Sequence, residues 1–247
     1  MTSVDLNCDM GEGFENDEEL MRYISSANIA CGFHAGDFSV MNSTVKLAVK
    51  HRVAIGVHPG FPDIKNFGRT ELAVSSQAVY EMMLYQIGSL YAIVKSQGAR
   101  LNHVKPHGAL YNMAAVNKEL SDAIVSAVFD FDPDLTLYGL ANSEMIASAK
   151  RKGISFKQEV FADRTYQPNG TLTPRSQPGA LIENIKASID QVLQMVKENK
   201  VTATNNTLVS IQPDTICLHG DGLHAVEFAQ GLHAKLKEEG IQITSSR

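Results

Sequence analysis

Residues 26–37, SANIACGFHAGD, form a short apolar run, Ile29-Ala30-Cys31, that breaks into a glycine-rich turn carrying His34 and Asp37. An apolar run of this length bounded by glycine reads as a buried strand, and the polar turn after it is where chemistry can sit. The same construction recurs at 4–13 (VDLNCDMGEG), 53–63 (VAIGVHPGFPD), 101–112 (LNHVKPHGALYN), 159–166 (EVFADRTY) and 215–222 (TICLHGDG). Six strands are therefore expected to end in His, Asp, Glu, Lys or Arg.

Helical patterns fill the intervals. The clearest covers 75–97, where Val79, Met83, Ile87, Leu90 and Val94 recur at three- and four-residue spacing, Ser75 supplies an N-cap and Gly98 closes the end. Further helices are expected over 17–25, 39–50, 120–128, 142–152 and 223–239. Another is opened by Pro178, with Leu181, Ile185, Ile189, Val192, Leu193 and Val196 as its stripe. A weaker strand falls at 135–139, another at 156–162, a hairpin within 204–212 and a short eighth strand at 241–243. The loop between Pro59 and Leu72 is too long for a minimal connection, which makes it a candidate lid or binding loop, and its Arg69 can reach an anion. Alternating strands and helices force parallel neighbours and right-handed crossovers. With no GxGxxG after the first strand, a (β/α) barrel is preferred to a Rossmann fold, and residues 1–247 read as a single barrel domain.

A formal net charge of -5 with 44% hydrophobic and 20% charged residues offers no attraction for nucleic acid or an anionic membrane surface. The N-terminal residues lack a basic segment followed by an apolar one, and no apolar run has transmembrane length, so a cytoplasmic chain is expected. The three cysteines form no CxxC pair and fall at strand ends, which points to reduced thiols.

Loops at the C-terminal ends of parallel barrel strands converge on one face. That geometry would gather Asp9, Glu12, His34, His58, Lys105, His107, Arg164, His219 and Asp221, a set supplying general acids, general bases and anion stabilisers. A single strand-end histidine is more often a hydrogen-bonded structural residue. As a set, buried ionisable groups are costly unless used or paired. Asp9, His34 and His58 are also ligand types for zinc, but HExxH and CxxC are absent, and whether a metal binds stays open. GxxxxGK[ST] is absent too, so any use of ATP must rest on a different site or on a partner.

Taken together, DLNCDMGEGF, SSANIACGFHAGD, GVHPGFPD, VKPHGALYN, EVFADRTY, TPRSQPGA and TICLHGDG closely resemble the LamB/YcsF family, over blocks running from Asp5 to Gly222. The resemblance implies an irregular, TIM-like (β/α) barrel, often counted as seven-stranded and similar to glycoside hydrolase and deacetylase barrels. It also implies a part in ATP-dependent 5-oxoprolinase: cleavage of 5-oxo-L-proline to L-glutamate with ATP and Mg2+, in a complex with two further subunits, B and C. Under that implication Lys105, Arg164 and Arg175 stabilise phosphate or carboxylate charge, with Asn7, Arg69, Tyr111 and His219 as further binding residues. Proton transfers fall to His34, His58, His107 or His219 with Asp9, Glu12 and Asp221. Two departures are visible: the turn after GEGF is short, and Asn66 stands where the family commonly has glycine, which would reshape the pocket rim and stiffen its loop. Two other functions remain in view: a metal-dependent deacetylase or amidohydrolase acting alone, and a noncatalytic metabolite-binding barrel that regulates a partner.

Overall fold

A computed structural model describes residues 2–222 and 224–245. In chain order the elements are β1 (Ser3–Met10), α1 (Asp17–Leu20), β2 (Ser26–Ala30), α2 (Phe38–His51), β3 (Ala54–His58), α3 (Ser76–Ser96), β4 (Leu101–Val104), α4 (Gly108–Val116), α5 (Lys118–Phe131), β5 (Thr136–Leu140), α6 (Glu144–Lys152), β6 (Phe156–Phe161), α7 (Ile185–Glu198), β7 (Lys200–Thr202), β8 (Leu208–Ser210), β9 (Thr215–Leu218), α8 (Ala225–Glu238) and β10 (Gln242–Ile243). Seven parallel strands run β1-β2-β3-β4-β5-β6-β9, and β9 pairs back onto β1 to close the barrel. The β7–β8 pair is an antiparallel hairpin outside the ring. The eighth strand expected at 241–243 is β10, which joins only Ser3 and Val4 of β1 and takes no part in closure.

Residues of a strand alternate between the two faces of a sheet. In β1, Val4, Leu6, Cys8 and Met10 are buried in the hydrophobic core, whereas the alternate positions Asp5, Asn7 and Asp9 are equally buried but polar. The polar set points into the barrel, because its hydrogen bonds reach strands that are not neighbours. Asn7 donates to Glu159 on β6 (3.0 Å), Ser26 on β2 meets Tyr138 on β5 (3.4 Å), and His103 on β4 meets Asn28 on β2 (2.7 Å). The barrel interior is thus a hydrogen-bonded polar column rather than a plug of aliphatic side chains. Gly56 makes room for it: a Cβ there would lie 2.0 Å from Nε2 of His103.

Several expected elements differ. The helix over 17–25 stops at Leu20, and Leu20, Met21 and Ile24 are buried by a following turn instead. Residues 108–116, of which 108–112 are expected at the end of the fourth strand, form α4. Its Ala109, Leu110, Tyr111, Ala114 and Ala115 are all buried, so no polar face advertises the helical period. The helix expected from Pro178 begins only at Ile185, capped by the Asn184 side chain; Gly179 at φ 74° turns the chain before it, and Leu181 is half exposed. The expected start of the last helix, Leu223, lies outside the described residues. On α3 the predicted stripe is fully buried, and Gln86 beside it exchanges two hydrogen bonds of 3.0 Å with the backbone of Gly60, fixing the loop after β3. That loop is a wall rather than a lid: Ala109 N donates to Gly68 O (2.9 Å) and His107 N to Pro59 O (2.8 Å). Among the described residues no helix is long and apolar enough to cross a membrane.

Candidate active site

The C-terminal ends of the strands open onto a cavity of about 480 Å³ whose lining includes Asp9, Glu12, His58, Lys105, His107, Tyr111 and His219. Arg69, Arg164 and Arg175 complete its walls. At the floor lies Lys105, just past β4 and 3% exposed. Its Nζ donates to Asp9 Oδ1 (2.8 Å), Asn7 Oδ1 (3.3 Å) and Cys217 Sγ (3.0 Å), and is 2.9 Å from Glu159 Oε1. Tyr111, from the unexpected helix α4, donates to the other oxygen of Glu159 (2.6 Å). Burial works against the ammonium, yet Asp9, Cys217 and Glu159 hold its pKa well above the ordinary lysine value. Asp9 is the converse. Burial pushes its carboxyl up, but His58 and Lys105 keep it well below the usual range, so it is ionised. Asn28 donates to the same Oδ1 (2.8 Å), leaving Oδ2 turned toward His58 Nε2 (3.2 Å) and His219 Nε2 (4.0 Å).

Glu12 follows β1 in a turn that requires Gly11 at φ 69°. Burial, reinforced by Asp9 and Asp221, pushes its carboxyl well above the ordinary value. Around its Oε1 gather His34 Nε2 (3.3 Å), His107 Nδ1 (3.4 Å) and His58 Nε2 (3.8 Å). His34 and His107 stack at 3.8 Å with an interplanar angle of 5°. Burial, with His58 adding to it, lowers His34 to about 2; burial with His34 and His58 lowers His107 as well. Both rings are therefore neutral at pH 7, and the His34 contact with Glu12 is a hydrogen bond rather than an ion pair.

On the opposite side, His219 Nδ1 meets Asp163 Oδ2 at 2.7 Å. Burial raises the Asp163 carboxyl, but His219 and the arginines Arg175 and Arg164 bring it below its ordinary value. Among the described residues, two groups of side chains could hold a cation: Glu12, His34, His58 and His107, and separately Asp9, Cys217 and His219.

Not all of the predicted residues reach the cavity. Asn7 lies beneath the floor inside the barrel, His34 sits behind Glu12, and Asp221 pairs at the rim with Arg69 (2.6 Å), whose guanidinium also covers the Phe67 ring at 4.8 Å. Arg164, lowered to about 10 by burial and Arg175, is 4% exposed and donates to the carbonyls of Thr173 (2.6 Å) and Ala180 (3.4 Å). Its guanidinium thereby ties together the loop after β6. Arg175 lines the cavity with no ion pair among the described residues. Asn66 donates to Asp63 Oδ1 in a short 3₁₀ turn, while the left-handed residue is its neighbour Phe67 at φ 56°. Sequence reasoning missed Asn28, Glu159, Asp163 and Cys217 as supports. The available signal was the alternation of polar residues along β1 and β2, inconsistent with an aliphatic barrel interior.

The LamB/YcsF family model matches residues 4–247. The chain is 52% identical over 250 residues to the A subunit of 5-oxoprolinase from Bacillus subtilis (strain 168), covering 99% of this chain and 97% of that protein. The crystal structure of the lactam utilization protein from Thermus thermophilus superposes with a TM-score of 0.93 at 41% identity, covering 99% of this chain and all of that one. A family 4 carbohydrate esterase from Streptomyces lividans shares the fold alone, with a TM-score of 0.52 and 12% identity.

Proposed function

The chain belongs to the LamB/YcsF family, and we propose that it is the A subunit of a 5-oxoprolinase, opening the lactam of 5-oxo-L-proline to L-glutamate in an ATP-dependent complex with the B and C subunits. The observation that carries this reading to a site is the dyad facing Asp9. His219 Nδ1 is held by Asp163 at 2.7 Å, and its Nε2 is turned toward Asp9 Oδ2 at 4.0 Å. A carboxylate on Nδ1 fixes the tautomer that leaves Nε2 free to move a proton, as in a nucleophile-activating triad.

A lactam carbonyl is resonance-stabilised and its nitrogen is a poor leaving group. ATP would phosphorylate the carbonyl oxygen and make the carbon open to water. The cationic lining fits such a group: Arg175 has no ion pair among the described residues, and Arg69 stands on a separate loop, so together they suit a phosphoryl group and the substrate carboxylate. Asp9, ionised and with Oδ1 taken by Lys105 and Asn28, presents Oδ2 as the base toward water. His219 carries the proton onward to the ring nitrogen as the C–N bond breaks, and a second water then releases phosphate from the acyl phosphate that results, giving the free carboxylate of glutamate. Lys105 holds Asp9 in place and keeps it charged.

Glutamate release from 5-oxo-L-proline, measured with this chain, its cognate B and C subunits, ATP and Mg2+, tests the reading by omission of each component. His219→Asn and Asp9→Asn should each lower kcat by about a hundredfold to ten-thousandfold, the range for a positioned acid or base. An assembled complex that releases no glutamate would sink the substrate assignment. Full activity in both variants would move the chemistry elsewhere.

A further inference from the structure

The hydrogen bonds of two histidines leave a junction that needs a positive charge. His58 Nδ1 lies 2.7 Å from the carbonyl oxygen of Lys105, and His107 Nε2 lies 2.9 Å from that of Phe67. A carbonyl oxygen only accepts, so both of those nitrogens carry hydrogen. In neutral rings the remaining nitrogens, His58 Nε2 and His107 Nδ1, are bare lone pairs, and they face each other at 2.9 Å. Either an extra proton or a metal cation must sit between them.

The surroundings favour the cation. Glu12 Oε1 completes a triangle with edges of 2.9, 3.4 and 3.8 Å. Ligands about 2.0–2.1 Å from a tetrahedral zinc stand about 3.3–3.4 Å apart, close to the mean of these edges. A shared proton accounts for the shortest edge and for the 3.2 Å approach of His58 Nε2 to Asp9 Oδ2, but leaves the convergence of Glu12 on both rings without a reason. The two N–H···O=C bonds are the outer contacts that orient metal-binding imidazoles. His34 supplies a third support. Its Nδ1 is buried without a partner, so its hydrogen sits on Nε2 and is donated to Glu12 at 3.3 Å.

We propose that His58 Nε2, His107 Nδ1 and Glu12 Oε1 bind a divalent first-row transition ion of the zinc type, with His34 orienting the carboxylate and a coordination position open to the cavity. The opening follows from the lining: Glu12, His58 and His107 border the cavity and His34 does not. Imidazole and carboxylate are the donors such an ion takes when three protein ligands leave a site for water or substrate. The second cluster, Asp9, Cys217 and His219, is the poorer host, because the Lys105 ammonium already occupies Asp9 Oδ1 and Cys217 Sγ. The site lies in the cavity assigned to the lactam, but the inference does not rest on that substrate.

The test uses the isolated chain, stripped by a chelator and titrated with Co2+ and Zn2+ against a competing chelator. One ion per chain is expected, with the visible absorption of four- or five-coordinate cobalt and no thiolate charge-transfer band. His107→Asn and Glu12→Gln should each weaken binding by at least tenfold, and His34→Asn by about tenfold to a hundredfold, as for an outer-shell partner. The exposed control His224→Asn should bind like the wild type. Near-UV circular dichroism establishes that each variant folds; should His107→Asn fail to, Glu12→Gln, nearly isosteric, decides. At equal Zn2+ concentration the rise in Tm should be smaller for Glu12→Gln than for the wild type. Absence of a bound ion in the wild type would overturn the proposal in favour of a shared proton. A thiolate band would overturn it in favour of the Cys217 cluster. Loss of metal binding with glutamate release intact, or the reverse, separates this inference from the lactam assignment.

Discussion

Replacing Lys105 by Met removes the ammonium that bridges two buried carboxylates at the floor. In the native protein Nζ is 2.8 Å from Asp9 Oδ1 and 2.9 Å from Glu159 Oε1, and the three side chains are between 0% and 4% exposed. Methionine fills nearly the same volume, so the cost is electrostatic rather than a cavity. Breaking a buried pair by deleting one partner costs about 3–5 kcal/mol, because the other charge is left uncompensated. For a chain of this size the urea m-value is about 3 kcal/mol/M, so the unfolding midpoint should fall by about 1–2 M at pH 7. The deficit depends on pH with a definite sign. In the wild type Asp9 is held below its unfolded value of about 3.9, so its contribution is complete above that value and is lost as pH falls through the folded pKa. Without Lys105, folding the ionised carboxylate is penalised at pH 7, and protonation relieves the penalty as pH approaches about 4. Urea unfolding followed by far-UV circular dichroism at pH 7 and pH 4.5, with chelator present, reads both effects. A midpoint shift below about 0.3 M at pH 7, or equal shifts at the two pH values, would refute the account of Lys105 as the counter-charge of the floor.

Four further predictions follow from the same geometry. Gly56→Ala would set a Cβ 2.0 Å from His103 Nε2, and that ring cannot yield because it stacks on Tyr138 at 4.0 Å and bonds Asn28. It should cost about 3 kcal/mol or more, and an unchanged Tm would contradict the packing. His103 is lowered to about 3 by burial, against an unfolded value of about 6.5, so the unfolded chain takes up the proton first as pH falls between these values. Stability should decline over that interval by up to about 1.4 kcal/mol per pH unit from this group; His103→Gln should flatten the slope, and parallel slopes from pH 7 to 5 would count against it. Burial pushes the Cys31 thiol up to about 12 and raises Cys8 and Cys217 as well, so an aromatic disulfide reagent at pH 8 should titrate no thiol in the native chain and all three in urea. Arg175→Ala should raise KM for one substrate of the assembled enzyme by about tenfold to a hundredfold, the loss of one charged hydrogen bond; unchanged KM values would remove Arg175 from the site.

The residues at the strand ends were legible because a strand advertises itself locally. Ile29-Ala30-Cys31 is apolar, the glycines after it end the strand, and a histidine follows; the same grammar repeats around the ring. Helix α3 was legible for the equivalent reason, a stripe at period 3.6 with a serine cap. Helix α4 was not, since its exposed side carries Val116 beside Asn112, so no polar stripe marks its period. The loop carrying Pro178 misled because an apolar Leu181 extended the stripe of α7 backward past a glycine turn.

The sequence by itself determined which side chains stand at the mouth of the barrel: Asp9, Glu12, His58, Lys105, His107 and His219 each lie at or just past the end of a buried strand by local patterning alone. The tertiary structure alone decided their partners. Closure of β9 onto β1 brings Cys217 to Lys105 and Glu159 to Asn7, separated by 112 and 152 residues, and turns His219 toward Asp163 rather than toward the other histidines. It also separates two carboxylates one turn apart, leaving Asp9 charged beside an ammonium and Glu12 beside the neutral imidazoles of His34 and His107. Alternation along a strand states which face a side chain occupies. What lies across the barrel from it depends on strand order and register, and those are set by packing of the whole ring rather than by any segment of it.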